Sequence, residues 1–60
     1  MTLWQYQKAH VMAKLHKEPI FIVEDDLIDP HPTLFIRESN YIDDPDDIIL
    51  GIVHPDGFVD

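Results

Sequence analysis

The chain has 60 residues, of which twelve are acidic and four are Lys or Arg, so its formal net charge is −8. It contains no cysteine, which excludes disulfides and thiolate metal sites. Its apolar content of 45% is enough for a hydrophobic core despite the charge. We therefore expect a single folded domain that spans residues 1–60.

The charge is distributed unevenly along the chain. Residues 1–17 contain three Lys and no acid, giving +3, whereas residues 18–60 contain one Arg and all twelve acids, giving −11. A strongly negative field repels nucleic acid and anionic membranes and attracts basic protein surfaces. We expect no direct nucleic-acid or membrane partner. The sequence shows neither a signal-peptide pattern nor a membrane-spanning apolar run, which favours a cytoplasmic location.

The first segment predicts an amphipathic helix over residues 2–17. Thr2 suits the N-cap position, and no Gly or Pro intervenes before the chain reaches residue 19. At 100° per residue, Trp4, Val11 and Leu15 fall within about 40° of one another. We expect this stripe to face the core. Lys8 lies inside the stripe and would extend its ammonium group outward.

The remainder of the chain predicts β-strands. Residues 20–23, 33–38 and 48–53 are rich in β-branched and aromatic side chains. Residues 54–57 have the composition of a turn, which predicts a terminal hairpin with residues 58–59. The expected fold class is α+β: an N-terminal helix packed on a three- or four-stranded antiparallel sheet, arranged as a meander over residues 20–60.

The first and third predicted strands are apolar on both faces. A half-exposed antiparallel strand normally alternates apolar and polar residues, and residues 20–23 and 48–53 do not. One short helix covers a single face, so the other face meets a second copy, a target or a folded-over loop. We expect a homodimer. The candidate interface residues are Phe35, Ile49 and Val53.

Two acidic clusters precede or follow the predicted strands. They are turn residues that keep the chain in solution, or they present carboxylates to a basic groove as a DNA mimic. Duplex DNA carries one charge per about 1.7 Å of axis, and closely spaced carboxylates resemble part of that row. The candidate partner-binding residues are Glu24, Asp25, Asp26, Asp29, Asp43, Asp44, Asp46 and Asp47.

The residue types do not predict an enzyme, a metal site or a cofactor. His10 and His16 lie about 240° apart on a helix and cannot bind one ion together. Residues 43–47 lack the spacing of a calcium loop. The three Ser and Thr hydroxyls do not occur in a nucleophile motif. We therefore assign no catalytic residue, no metal ligand and no cofactor.

These observations predict a small acidic inhibitor or adaptor that engages a basic, nucleic-acid-handling protein through its acidic loops. By analogy, small acidic chains of this kind occur in phages and mobile elements. One alternative is a structural or assembly protein that uses an apolar sheet face. Another is an antitoxin-like regulator whose basic helix contacts DNA. Ionic strength separates the first two, because salt weakens an electrostatic interface and leaves an apolar one intact.

Overall fold

The computed structural model describes residues 3–41 and 47–60. It consists of α1 (Leu3–His16), β1 (Ile20–Asp25), β2 (Thr33–Arg37), a 3-10 turn (Glu38–Asn40) and β3 (Asp47–Val53). The predicted helix on a three-stranded antiparallel sheet is confirmed. Within the described ranges, no helix has the length and apolar character needed to cross a membrane.

The strand order is β2-β1-β3, so the predicted meander is wrong. β1 lies in the centre and pairs antiparallel with both neighbours. Its Ile20 and Ile22 are fully buried on one face and Val23 is fully buried on the other. A strand that is apolar on both faces is typical of a central position. In the pairing with β3, Ile22 faces Gly51 and Val23 faces Ile49, which leaves Leu50 without an opposite residue.

The connection from β2 to β3 runs from one end of the sheet to the other. β2 ends at Arg37, opposite Ile20, whereas β3 begins at Asp47, opposite Asp25. In the described part of this connection, the Tyr41 ring lies with its centroid 4.6 Å from that of Phe21. Successive side chains of a strand point to opposite faces, so this contact is on the face away from α1. The chain therefore partly covers its own second face.

Helix α1 packs on the sheet through small side chains. Ala9 and Ala13 are fully buried against β1 and β3, and Gln5 is buried beside them. The core that they form also contains Ile20, Ile22 and Val53, with Tyr6, Met12, Phe35 and Leu50 packed against it. Alanine lets the helix approach the bulky sheet residues closely, which explains why these positions face inward.

The stripe that was predicted to face the core points to solvent instead. Val11 and Leu15 are 66% and 76% exposed, and Trp4 is 53% exposed. The prediction was wrong because large apolar side chains were expected to fill the core, whereas the sheet already supplies them. Lys8 lies with its ammonium nitrogen 5.0 Å from the centroid of the Phe35 ring, in cation–π geometry.

The helix ends in a left-handed residue. Lys17 has φ 58°, and the amide of Glu18 donates to the carbonyl of Ala13 at 3.3 Å. This is the Schellman arrangement, with lysine where glycine is usual. Pro19 follows at once, as expected for a helix stop. Thr2, the predicted N-cap, lies outside the described residues.

The predicted terminal hairpin is confirmed. The amide of His54 donates to the carbonyl of Phe58 at 2.8 Å, and Val53 forms a β-bridge with Val59. Gly57 adopts φ +96°, which the turn requires. His10 of α1 lies with Nε2 3.2 Å from the carbonyl oxygen of Pro55, so the helix holds the turn in place.

Hydrogen bonds to the Glu18 side chain connect the segment before β1 to the end of β2. Its carboxylate accepts from Arg37 Nε at 3.2 Å, from Ser39 Oγ at 2.9 Å and from the Ser39 amide at 3.3 Å. These interactions hold the pKa of Glu18 below its ordinary value of 4.5, with the hydrogen bond from Arg37 as the main cause and that from Ser39 next.

The packing of α1 predicts opposite responses at two neighbouring helix positions. Ala13→Leu should lower the free energy of unfolding by about 1–3 kcal/mol, because a larger side chain does not fit at a filled contact. Leu15→Ala should change it by no more than about 0.5 kcal/mol, because the side chain is exposed. Urea denaturation followed by circular dichroism measures both. A large loss of stability for Leu15→Ala with none for Ala13→Leu would contradict this structure, because it would mean that the opposite side of the helix faces the sheet.

The interaction of Glu18 predicts a pH dependence of stability. Its folded-state pKa is lowered, so its contribution is complete above about pH 4.5 and is lost as the pH falls through the folded-state value. Arg37→Gln should move the Glu18 pKa back toward its ordinary value in a carboxyl-carbon NMR titration. Lys8→Gln removes the same charge away from Glu18 and serves as the control. Equal shifts in the two variants would show that net charge is responsible.

Candidate partner-binding surface at the acidic end of the sheet

The strand register brings the first acidic cluster of the sequence and Asp47, from the second cluster, to one end of the sheet. Glu24 and Asp25 are the last residues of β1, and Asp47 is the first residue of β3. Asp25 and Asp47 are direct cross-strand partners. Asp26 and Asp29 lie exposed in the turn that follows β1. We call the set Glu24, Asp25, Asp26, Asp29 and Asp47 the acidic end.

The remaining predicted acidic residues are not placed. Asp43, Asp44 and Asp46 lie outside the described residues, immediately before Asp47 in the sequence. The stretch 18–36, which carries four of the five carboxylates of the acidic end, contains no Lys or Arg. The field at this end of the sheet is therefore strongly negative.

The N-terminal part of α1 lies beside the acidic end. Gln5 Nε2 donates to Thr33 Oγ1 at 3.0 Å, and Thr33 is the cross-strand partner of Glu24. The amino end of a helix carries a partial positive charge, which favours neighbouring carboxylates. The orientation of α1 is therefore electrostatically favourable for the acidic end.

His31 belongs to this surface, although the sequence indicated no role for it. Its Nδ1 lies 2.7 Å from Glu24 Oε1, and its Nε2 lies 4.0 Å from Asp26 Oδ1. The residue follows the tight turn between β1 and β2. The register of that hairpin, extended past Glu24 and Thr33, places position 31 opposite position 26. A prediction of the hairpin register would have identified it.

The tip of the β1–β2 turn is held by two hydrogen bonds to Asp25. Its Oδ1 accepts from the amide of Leu27 at 3.0 Å, an Asx turn, and its own amide donates to the carbonyl of Pro32 at 3.3 Å. These bonds fix the direction in which the loop leaves the sheet. The side chains at the tip are therefore presented from a defined backbone.

Two large apolar side chains stand at this tip, between acidic neighbours. Leu27 is 73% exposed and Ile28 is 51% exposed, flanked by Asp26 and Asp29. Neither residue was among the predicted binding residues, although an aliphatic pair inside an acidic loop is visible in the sequence. An apolar centre with a charged rim is typical of protein-binding surfaces.

The three residues predicted to form an oligomer interface do not share one surface. Val53 is only 1% exposed in the core under α1, and Phe35 packs against that core. Ile49 lies on the opposite face, where it and Leu34 flank Val23. Ile49 and Leu34 are 45% and 40% exposed. The use of this face in oligomerisation stays a prediction.

Within residues 3–41 and 47–60, no three His, Asp or Glu side chains come close enough to hold a metal ion, and no cavity is found. The acidic end is accordingly an open surface. No family model, no curated protein and no solved structure matches this chain.

Proposed function

We propose that this protein is a small binding protein, an inhibitor or adaptor, whose acidic end engages a basic surface of another protein. The observation that supports this best is the β1–β3 register, which sets Asp25 opposite Asp47 at the base of the turn that exposes Leu27 and Ile28. A group of carboxylates around an exposed apolar pair is typical of a recognition surface.

The chemistry of the surface defines the partner. Adjacent strands lie about 4.8 Å apart, so the carboxylates at the ends of β1 and β3 form a closely spaced negative group, as phosphates do along nucleic acid. A groove lined with Lys and Arg that normally receives phosphates would accept them. Such grooves belong to proteins that handle nucleic acid, so we propose a partner of that class.

The apolar tip and the acidic rim contribute differently to binding. Burial of Leu27 and Ile28 in an apolar depression supplies most of the affinity, because desolvated aliphatic anchors dominate binding energy. The surrounding carboxylates speed association and exclude acidic partners. The partner surface is then a basic ring around an apolar hollow.

A second candidate function is assembly through the sheet face opposite α1. Leu34 and Ile49 are exposed on that face, beside the fully buried Val23. A protein of this kind would bind through apolar contact, with its acids serving solubility. Its binding would be insensitive to salt and sensitive to substitution of Ile49.

Two matched double variants test the acidic end. Asp26→Asn with Asp29→Asn removes two exposed charges from it, and Glu38→Gln with Asp60→Asn removes two exposed charges elsewhere. A partner captured from source cells is identified and purified, and its dissociation constant is measured across a range of NaCl. The first variant should weaken binding about three- to tenfold at low salt, and the second should change it little.

The apolar tip gives a complementary arm of the same experiment. Leu27→Ser with Ile28→Ser should weaken binding at every salt concentration, since apolar contact is not screened. If the two double charge variants weakened binding equally, the net charge of the chain would be the cause, and this would contradict the proposal. Binding that is unaffected by the tip and acidic-end variants, but lost with Ile49→Ser, would favour the assembly function.

A further inference from the structure

Two hydrogen bonds that flank β2 define which of its backbone groups face β1. The carbonyl of Pro32 accepts from the amide of Asp25, and the amide of Glu38 donates to the carbonyl of Pro19. Both are pairs in the same register as the β1–β2 ladder. Hydrogen-bonded pairs alternate along an antiparallel ladder, so positions 32, 34, 36 and 38 are the ones that bond to β1.

The alternate residues of β2 point their backbone groups away from the sheet. The amides and carbonyls of Thr33, Phe35 and Arg37 face outward, and no described residue pairs with them. β2 contains no proline and no bulge. The opposite edge of the sheet differs, because the Val53–Val59 bridge covers part of it. An edge strand without such protection is a template for pairing with another strand.

We propose that β2 pairs with β2 of a second copy, antiparallel and centred on Phe35, to form one continuous six-stranded sheet. This register places Phe35 opposite Phe35 of the second copy and Thr33 opposite its Arg37. It forms two hydrogen bonds at the central pair and two at each Thr33–Arg37 pair, which satisfies every outward-facing group of both strands. The inference concerns this edge alone and does not depend on the partner of the acidic end.

The charges of the chain favour a second copy as the occupant. The acidic end lies beside Thr33, whereas Arg37 and Lys17 lie at the other end of the β1–β2 pair. Lys17 and Arg37 share that end with Glu18 and Glu38, so antiparallel pairing sets the acidic end of each copy next to a nearly neutral end of the other and away from its acidic end. In this register no two like charges face each other across the paired β2 strands, because Arg37 is the one charged residue of β2. The edge is therefore complementary to itself.

The side chains near Phe35 also become covered in this arrangement. The rings of Trp4 and Phe35 pack edge to face, with their centroids 6.0 Å apart, and Lys8 lies over the same Phe35 ring. Trp4 nevertheless remains half exposed. Phe35 of the second copy would meet this group across the axis, and aromatic pairs add stability beyond their buried area. On the opposite face, Leu34 would meet Ile36 of the second copy. The dimer thus explains why Trp4 lies at the surface.

The test uses a lysine placed at either side of Glu24. Thr33→Lys puts the new charge beside Glu24 within one copy and opposite Arg37 of the second copy. Ile48→Lys puts the same charge beside Glu24 from β3, away from the proposed interface. Sedimentation equilibrium gives the dimer dissociation constant. Thr33→Lys should weaken the dimer roughly tenfold and Ile48→Lys by less than about twofold.

Thr33→Glu reverses the sign of the charge and should tighten the dimer, because it faces Arg37 of the second copy. Trp4 is the single tryptophan, so its emission should shift to the blue as the wild-type dimer forms. In amide exchange, Phe35 should become protected with rising concentration. A wild-type chain that stays monomeric at millimolar concentration would overturn the proposal, and so would equal weakening by Thr33→Lys and Ile48→Lys. The assay needs no other protein, so its failure leaves the proposed function of the acidic end untouched.

Discussion

The structure depends on the burial of β1 on both faces. Ile20 and Ile22 meet α1, and Val23 lies on the other side, so the strand requires a neighbour at each edge and a cover on each face. The alanines of α1 provide one cover at close range. Tyr41 contributes to the second by packing on Phe21 after the chain leaves β2. The order β2-β1-β3 follows, because only a central position gives this strand two neighbours.

The acidic end is a consequence of the same arrangement. Once β1 is central, the last residues of β1 and the first residue of β3 lie side by side, and Asp25 meets Asp47. A meander would not have paired these two strands. The amino end of α1 lies on this side of the sheet, and His31 lies with Nδ1 2.7 Å from Glu24 Oε1. The fold therefore carries a dense negative surface around Leu27 and Ile28 while most of the core lies under α1.

The sequence predicts the elements better than their arrangement. The helix and the three strands follow from composition and from punctuation at Pro19 and at the turn of residues 54–57. The inward face of α1 did not follow, because Ala9 and Ala13 are small and give a weak periodic pattern beside Trp4 and Leu15. Strand order depends on pairing between distant segments, which local composition does not encode. The acidic residues were identified individually from the sequence. That Asp25 and Asp47 lie opposite each other, and that His31 contacts Glu24, could be found only from the strand register.

Amide hydrogen exchange of β1 and β2 in dilute solution tests the central position of β1 most directly. In the observed order, the amides of β1 bond alternately to β2 and β3, so all of them should exchange slowly. The amides of Leu34 and Ile36 should also be slow, and that of Phe35 fast. Alternating fast and slow exchange along residues 20–25, with uniform protection of residues 33–37, would place β2 at the centre and contradict this account.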